Sequence, residues 1–400
     1  MKRGMASIPA LARTRTDTQW LASGESHHPD PRQAGVEAAT QALTGDDAKL
    51  LVVFASDAYD LTQLLGGVAG VARDVPVIGC STAGEITAAG PGTSGVVIMA
   101  LGGPGFSVAT AAASADVNGL RQAGADVAAS VARLDPRPYK VLLLLSDGLG
   151  GDQQEVVRGA HRLLGAQVPL VGGCAGDDLK MQHTFQFHGD SVLEHSVVGA
   201  AIGSEGPIGI GVEHGWRSVG EPMVVTASSG NRVLSLDDQP ALTAYLQRLD
   251  APPAVHADPE AFTRFALTHP LGLTRRSGDE VRFVAGADFA EGSLNCIAAL
   301  PQGSLAWIME GDRDSVLEAT DVACGRALAE LGGQRPLGLF AFDCIARKGV
   351  LGEDIVAEVD RIADFAAGAP VAGLYTYGEI ARTSGLNGFH NQTLVVVAFA

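Results

Sequence analysis

Glu85, Asp177, Asp178 and Glu379 each stand just past a glycine in a short loop after an apolar run. A ring of such acids would bind a cationic group, for instance the ammonium of an amino acid, through charge-assisted hydrogen bonds. The alternative for each acid is a cap or turn, because carboxylates also favour helix starts. Gly79, Ser81, Thr82, Tyr375, Thr376 and Tyr377 share these loops and add backbone freedom and hydroxyls. A few converging polar groups on apolar walls are the usual make-up of a small-molecule site. Cys80 and Cys174 also follow glycines, where a thiol nucleophile would need a base within hydrogen-bond reach. The sequence offers no such pair and no nucleophile elbow. A third loop carries Leu374 where the first carries Cys80, which favours a packed side chain over a catalytic one.

Ten histidines are scattered without the His-x-x-x-His or His-Glu-x-x-His spacing of a zinc enzyme, so no metal site is expected. His183, His188 and His195 fall in a segment with Phe185 and Phe187, where a single axial haem ligand could sit. Covalent haem is excluded by the lack of Cys-x-x-Cys-His, and a phosphate-binding P-loop by the lack of its glycine-lysine signature.

The elements that must position these residues recur three times. Apolar runs end in polar turns at Leu50–Asp57, Val141–Gly148 and Leu337–Cys344. Helical stretches follow at Leu61–Ala72, Gln153–Leu164 and Asp354–Ala366. Each leads through a proline to a glycine loop: Val77–Ile86, Leu170–Asp178 and Val371–Ile380. A last apolar run closes each unit, at Gly95–Leu101, Ser196–Ile202 and Thr393–Phe399. Gly-x-x-Thr-x-Gly-Glu-Ile is shared residue for residue by the first and third loops, which marks an old internal duplication. The expected fold is therefore α/β, a mixed-sheet body of three divergent strand-helix-strand-loop-strand repeats in two subdomains. Ligand crevices form outside the carboxyl ends of strands in such sheets, so the three loops should meet.

Between the units, Gln33–Leu43 and Val117–Leu134 have helical spacing, and Met181–His195 alternates as a hairpin does. Asp238–Leu249 reads as a helix capped by Asp237 or Asp238. Residues 1–48 are expected to be a flexible leader and first helix, with domains over 49–238 and 239–400. The stretch Asp250–Pro259, rich in proline and acid, also reads as a junction. With 46% hydrophobic and 18% charged residues, 400 residues leave ample chain for a core. A net charge of -17 disfavours nucleic acid as a partner. Five cysteines with no Cys-x-x-Cys pair and no signal peptide read as reduced thiols, and no apolar run is long enough for a bilayer. A cytoplasmic location is expected.

The order of Gly79–Glu85, Gly172–Asp178, Gly211–Gly220 with Trp216, and Leu236–Ala241 resembles the N-terminal part of FIST (F-box and intracellular signal transduction) proteins. Phe342–Lys348, Gly373–Ile380 and Phe389–Thr393, which includes Asn391, resemble the C-terminal part. One departure is Asp343-Cys344-Ile345-Ala346-Arg347, where the family is expected to read Ser-Cys-Ala/Val-Gly-Arg. The resemblance implies a sensory input protein that binds a small ligand such as an amino acid. It also implies a separate signalling partner: a histidine kinase, a diguanylate cyclase or a chemotaxis-type protein. No cofactor is required on this reading. The alternatives are a haem-based nitric oxide sensor, as some bacterial members are, and a hydrolase or transferase built on the same loops.

Overall fold

The computed structural model describes residues 19–116, 118–275, 278–383 and 388–400. Three units of like construction surround one apolar axis. In each, the first and second strands run parallel: Ala48–Ser56 with Val77–Thr82, Tyr139–Ser146 with Leu170–Cys174, and Gly338–Cys344 with Val371–Thr376. The helices Leu61–Ala72, Gln154–Leu164 and Ile355–Ala366 connect them. The last strands, Val96–Gly102, Ser196–Ser204 and Leu394–Phe399, pair antiparallel with the first strands on their other side. Beyond them lie the edge strands Trp20–Ser26, Phe106–Ser114 and Ile208–Glu213.

The first strands are buried on both faces, so they read as unbroken apolar runs. Phe54, Leu143, Leu145, Phe340 and Phe342 point to the shared axis. Phe54 meets Phe340 and Phe342 edge-on, at 6.4 and 6.0 Å between ring centroids. The void left on the axis is about 10 Å³, at the lower limit for one water, so the centre is a core and not a channel.

Each unit's sheet is completed by its neighbour. The strand after the second unit's loop, Gln186–His188, adds to Val77–Thr82 of unit one. Glu379–Arg382 of unit three adds to Leu170–Cys174 of unit two. Glu85–Thr87 of unit one adds to Val371–Thr376 of unit three and closes the ring.

Unit three also carries an insert between its edge strand Ile208–Glu213 and its helix Arg313–Ala329. The insert spans the strands from Arg217 to Glu310 and the helices Ala241–Arg248 and Pro259–Ala266. It has its own core, with Val225, Tyr245, Phe262, Leu271 and Ile308.

Several expectations are corrected here. Trp20–Ser26 belongs to the first sheet, so the part of the leader from residue 19 onward is ordered structure; residues 1–18 lie outside the described ones. Asp250–Pro259 is no junction, because Val255 is buried in the insert's core. The expected division at 238/239 falls in the turn between the paired strands Arg232–Leu236 and Gln239–Pro240. Asp237 and Asp238 occupy left-handed positions of that turn (φ 48° and 61°) and cap nothing, and the helix begins at Ala241. In 117–134 the α-helix covers Leu120–Ala128 and tightens to a 3-10 turn over Ala129–Arg133.

Glycine sets how closely the helices sit. A Cβ on Gly211 would lie 1.7 Å from Ala323 O of the helix above it. By register Gly24 occupies the same place in unit one, and its Cβ would lie 2.2 Å from Ala38 O. Gly211→Ala is therefore expected to destabilise by about 1–3 kcal/mol through overpacking. Gly325→Ala, on the same helix with nothing within 4 Å of its Cβ, is expected to stabilise by up to about 1 kcal/mol. Urea unfolding of both variants tests the packing, and equal signs would contradict it.

Candidate functional site

The three loops meet at the carboxyl ends of the second strands. Loops one and three exchange bonds from Ala83 N to Tyr375 O (3.0 Å) and from Tyr375 N to Gly84 O (2.8 Å). Loops two and three are joined by Cys174 N to Gly378 O (2.8 Å) and Tyr377 N to Cys174 O (3.3 Å). Between loops one and two, Gly176 N donates to Ser81 O (3.1 Å) and Ser81 Oγ donates to Gly176 O (2.8 Å). Ser81 Oγ also accepts from Phe185 N at 2.9 Å.

Gly79, Gly172 and Gly373 hold equivalent places, and each faces a first-strand carbonyl. A Cβ would come within 2.1 Å of Val53 O, 1.9 Å of Leu144 O and 2.2 Å of Ala341 O. These glycines bring strands together; they do not open a cradle.

Glu85 and Glu379 build matching clasps. Thr82 Oγ1 donates to Glu85 Oε1 (2.6 Å), and Gly95 N donates to Oε2 (3.0 Å). Thr376 Oγ1 donates likewise to Glu379, and Thr393 N to its Oε2 (3.2 Å). Both carboxyls are almost wholly buried. Burial pushes Glu85 up to about 7 and Glu379 up to about 8, against the opposing pull of the threonine and backbone donors.

Asp177 has a different task. Its carboxylate gathers Met181 N (3.0 Å), Gln182 N (2.7 Å), His183 N (3.1 Å) and the Tyr377 hydroxyl. Burial raises its pKa, but these donors outweigh burial and hold it below the usual range. Asp178, Leu179 and Met181 in the same loop all have positive φ, at 53°, 62° and 54°. Asp178 is exposed, and Lys180 ties the loop to Asp57 at 2.6 Å.

Cys80 and Cys174 are buried thiols. Burial raises both, Cys174 to about 12, so neither presents a thiolate near neutrality. Cys80 packs on the axis, while Cys174 Sγ lies 3.3 Å from Ser146 Oγ. The Tyr375 ring lies 4.6 Å below the Lys348 ammonium, and its hydroxyl has no partner among the described residues. Asn391 donates to His390 O at 2.9 Å.

The three histidines do not converge on one point of the site. His183 is exposed beside Phe185, His188 Nε2 meets Thr110 Oγ1 at 3.2 Å, and His195 Nδ1 meets the Asp147 carboxylate at 3.0 Å. Among the described residues no cluster of His, Cys, Asp and Glu could hold a metal ion, and no helix is long and apolar enough to cross a membrane.

Of the loop acids placed by sequence, Glu85 also faces open space. A cavity of about 110 Å³ at the carboxyl end of unit one's strands is lined by Glu25, His27, Glu85, Thr87 and the backbone of 90–92. Glu25 and His27 were missed because they stood in the supposed leader. Register gives His27 and His214 equivalent places, one residue past the edge strands of units one and three, a repeat of residue type present in the sequence. There Trp216, bonded through Nε1 to Gln392 O (3.1 Å), and the insert lie over the strand end.

Sequence reading also missed a buried polar network. Arg347 lies between the helices of unit three, fully buried with Asp343 and Glu358. Its guanidinium bonds the Glu358 carboxylate, Thr320 Oγ1 (3.0 Å), Val316 O (3.2 Å) and His214 O (3.0 Å). Arg347 Nε is 2.8 Å from Asp343 Oδ1, but not in hydrogen-bonding geometry. Burial, then the neighbouring Glu358, raises Asp343 well above the usual carboxylate range. The signal was the Asp343–Arg347 departure itself.

The described residues thus form a three-unit α/β body whose strand-end loops meet, with a cavity beside Glu85. Models of the FIST N domain and FIST C domain match residues 49–239 and 241–382, and the chain belongs to the FIST family. FIST domains are associated with signal-transduction sensing. The chain is 24% identical over 388 residues to an uncharacterised protein of Mycobacterium tuberculosis, covering 94% of this chain and 98% of the relative. It is 25% identical over 386 residues to one of Mycobacterium bovis, covering 93% and 96%. Among solved structures, a cyanuric acid hydrolase from A. caulinodans aligns over 95% of this chain and 99% of that one, at 10% identity and a TM-score of 0.32.

Proposed function

We propose that this protein is a sensory input module that binds a small ammonium-bearing ligand, such as an amino acid, in the cavity beside Glu85. It passes its state to a separate partner of the kinase, cyclase or chemotaxis-receptor type. The carrying observation is the double position of Glu85. Its side chain faces the cavity with Glu25 and His27, while its backbone pairs with Leu374 of unit three. A cation in the cavity favours the ionised carboxylate, so binding near neutral pH is coupled to proton release. The handed-over strand Glu85–Thr87 carries the change to unit three, where a partner can distinguish two populations. Binding is favoured over turnover because the loop thiols are buried and protonated and the hydroxyls of Ser81, Thr82, Thr376 and Tyr377 are engaged in bonds within and between the loops.

The test is a thermal-shift screen of amino acids and simple amines on the parent and on Glu85→Gln and Glu25→Gln. A ligand at about 100 times its Kd is expected to stabilise the parent by about 2.7 kcal/mol. Each substitution is expected to weaken binding by about tenfold or more, as loss of a charge-assisted bond does. Unfolding without ligand is measured alongside. A ligand whose affinity is unchanged in both variants would remove the site from this cavity.

A further inference from the structure

We infer a second ligand site, for a small molecule carrying a carboxylate, in the seam between unit two and the insert. It is independent of the cavity beside Glu85. A cleft of about 250 Å³ opens there. Asp152, Gln154 and Arg158 line it from the start of the helix Gln154–Leu164, and Ser228, Arg282 and Ala298 from the insert.

Gln154 points to what the guest must supply. Its Oε1 accepts from Phe389 N at 3.2 Å and from Gly388 N at 3.4 Å. Two backbone donors fix which way the amide lies, since its nitrogen cannot face them. The amide nitrogen is left buried with no partner among the described residues, on a side chain only 6% exposed. A buried donor without an acceptor is a standing cost, removed when a guest brings an acceptor oxygen.

The neighbouring groups favour an anionic acceptor. Arg158 reaches the rim with its side chain about half exposed, and Glu155 takes one of its terminal nitrogens. The Arg282 guanidinium is engaged with Glu280 Oε2 (2.8 Å), Val281 O (3.0 Å) and Ala299 O (3.3 Å), so it contributes field and rigidity, not new bonds. The carboxylate of Asp152 is turned to Gln154 N at 3.1 Å. Arg158, the Gln154 amide and the Ser228 hydroxyl thus supply the donors, and Ala298, Ala299 and Pro301 an apolar wall. Because the lining comes from both bodies, an occupant ties the insert to unit two.

Succinate titrated into the full chain by calorimetry is the probe. Binding in the millimolar range or tighter is expected, with slowed amide exchange at 228–230 and 298–300. Gln154→Glu keeps the two accepted backbone bonds and replaces the orphan donor by an acceptor, so it should weaken succinate at least tenfold. Arg158→Gln should do the same, while Arg162→Gln, an equal charge change on the same helix, should leave affinity unchanged. No heat up to about 20 mM succinate overturns the inference. So does affinity unaltered in Gln154→Glu and Arg158→Gln, or lowered as much in Arg162→Gln.

Discussion

Arg347→Ala is expected to destabilise the protein by about 3–5 kcal/mol, the loss typical when one member of a buried ion pair is removed. The Glu358 carboxylate would remain, wholly buried, without its cation and with Thr320 Oγ1 (2.7 Å) and the neighbouring Asp343 carboxyl beside it. Arg347→Lys is expected to cost nearly as much, because an ammonium cannot reproduce the fork that spans Glu358, Thr320 and His214 O. Asp343→Asn should behave differently. Burial, then Glu358, pushes the Asp343 carboxyl up and so favours its neutral form, which asparagine replaces with a neutral amide of similar shape. A change within about 1 kcal/mol is expected for it. Denaturant unfolding of the three variants decides the matter. A loss at Asp343→Asn as large as at Arg347→Ala would mean that Asp343 carries the charge that balances Arg347.

Glu379→Gln is expected to change the pH dependence of stability. In the unfolded chain Glu379 titrates near 4.5; in the folded chain burial raises it to about 8. The native state therefore holds a proton that the unfolded state has lost, and stability falls as pH rises from about 4.5 to about 8. The contribution is fully present below 4.5 and gone above 8. Each tenfold difference in proton affinity between the two states corresponds to about 1.4 kcal/mol, so the order of the effect is about 2–5 kcal/mol across this window. Glutamine can keep the bond from Thr393 N through its amide oxygen, and its amide nitrogen can donate to Thr376 Oγ1, which reverses the bond that Thr376 donates to the acid. The variant should match the parent near pH 4.5 and exceed it at pH 8.5. Urea melts at a series of pH values measure this, and a variant less stable than the parent at pH 8.5 would show that the charged form is the one the clasp holds.

The three units were legible because each first strand is buried on both faces and each second strand carries a glycine where it presses on a carbonyl. Those demands write themselves into text as Leu-Leu-Val-Val-Phe and Val-Ile-Gly. The meeting of the loops followed from equivalence of the strand ends. The exchange of strands did not. Glu85-Ile86-Thr87 is too short to show alternation, and nothing local says which sheet it joins. Trp20–Ser26 reads as leader because glycine, serine and alanine lower its strand propensity, while its partner Val96–Gly102 supplies the apolar pairing. The insert was divided wrongly in the reading of Asp250–Pro259, since proline and acid mark a turn without telling whether its flanks share a core. The acids were read as ligands or caps. Burial, which a sequence does not display, makes Glu85 and Glu379 clasps first.

The closing of the ring fixes an order of events during synthesis. The strand Glu85–Thr87 leaves the ribosome with unit one, yet its partner Ala372–Leu374 follows about 290 residues later. At about 5–20 residues per second that interval is roughly 15–60 s. Through it the nascent chain presents an unpaired edge, the feature that invites wrong pairing between chains. Production of this protein should therefore depend on translation speed and on chaperones that shield nascent chains more steeply than its final stability would indicate, and the yield of soluble chain should be decided before the last unit emerges.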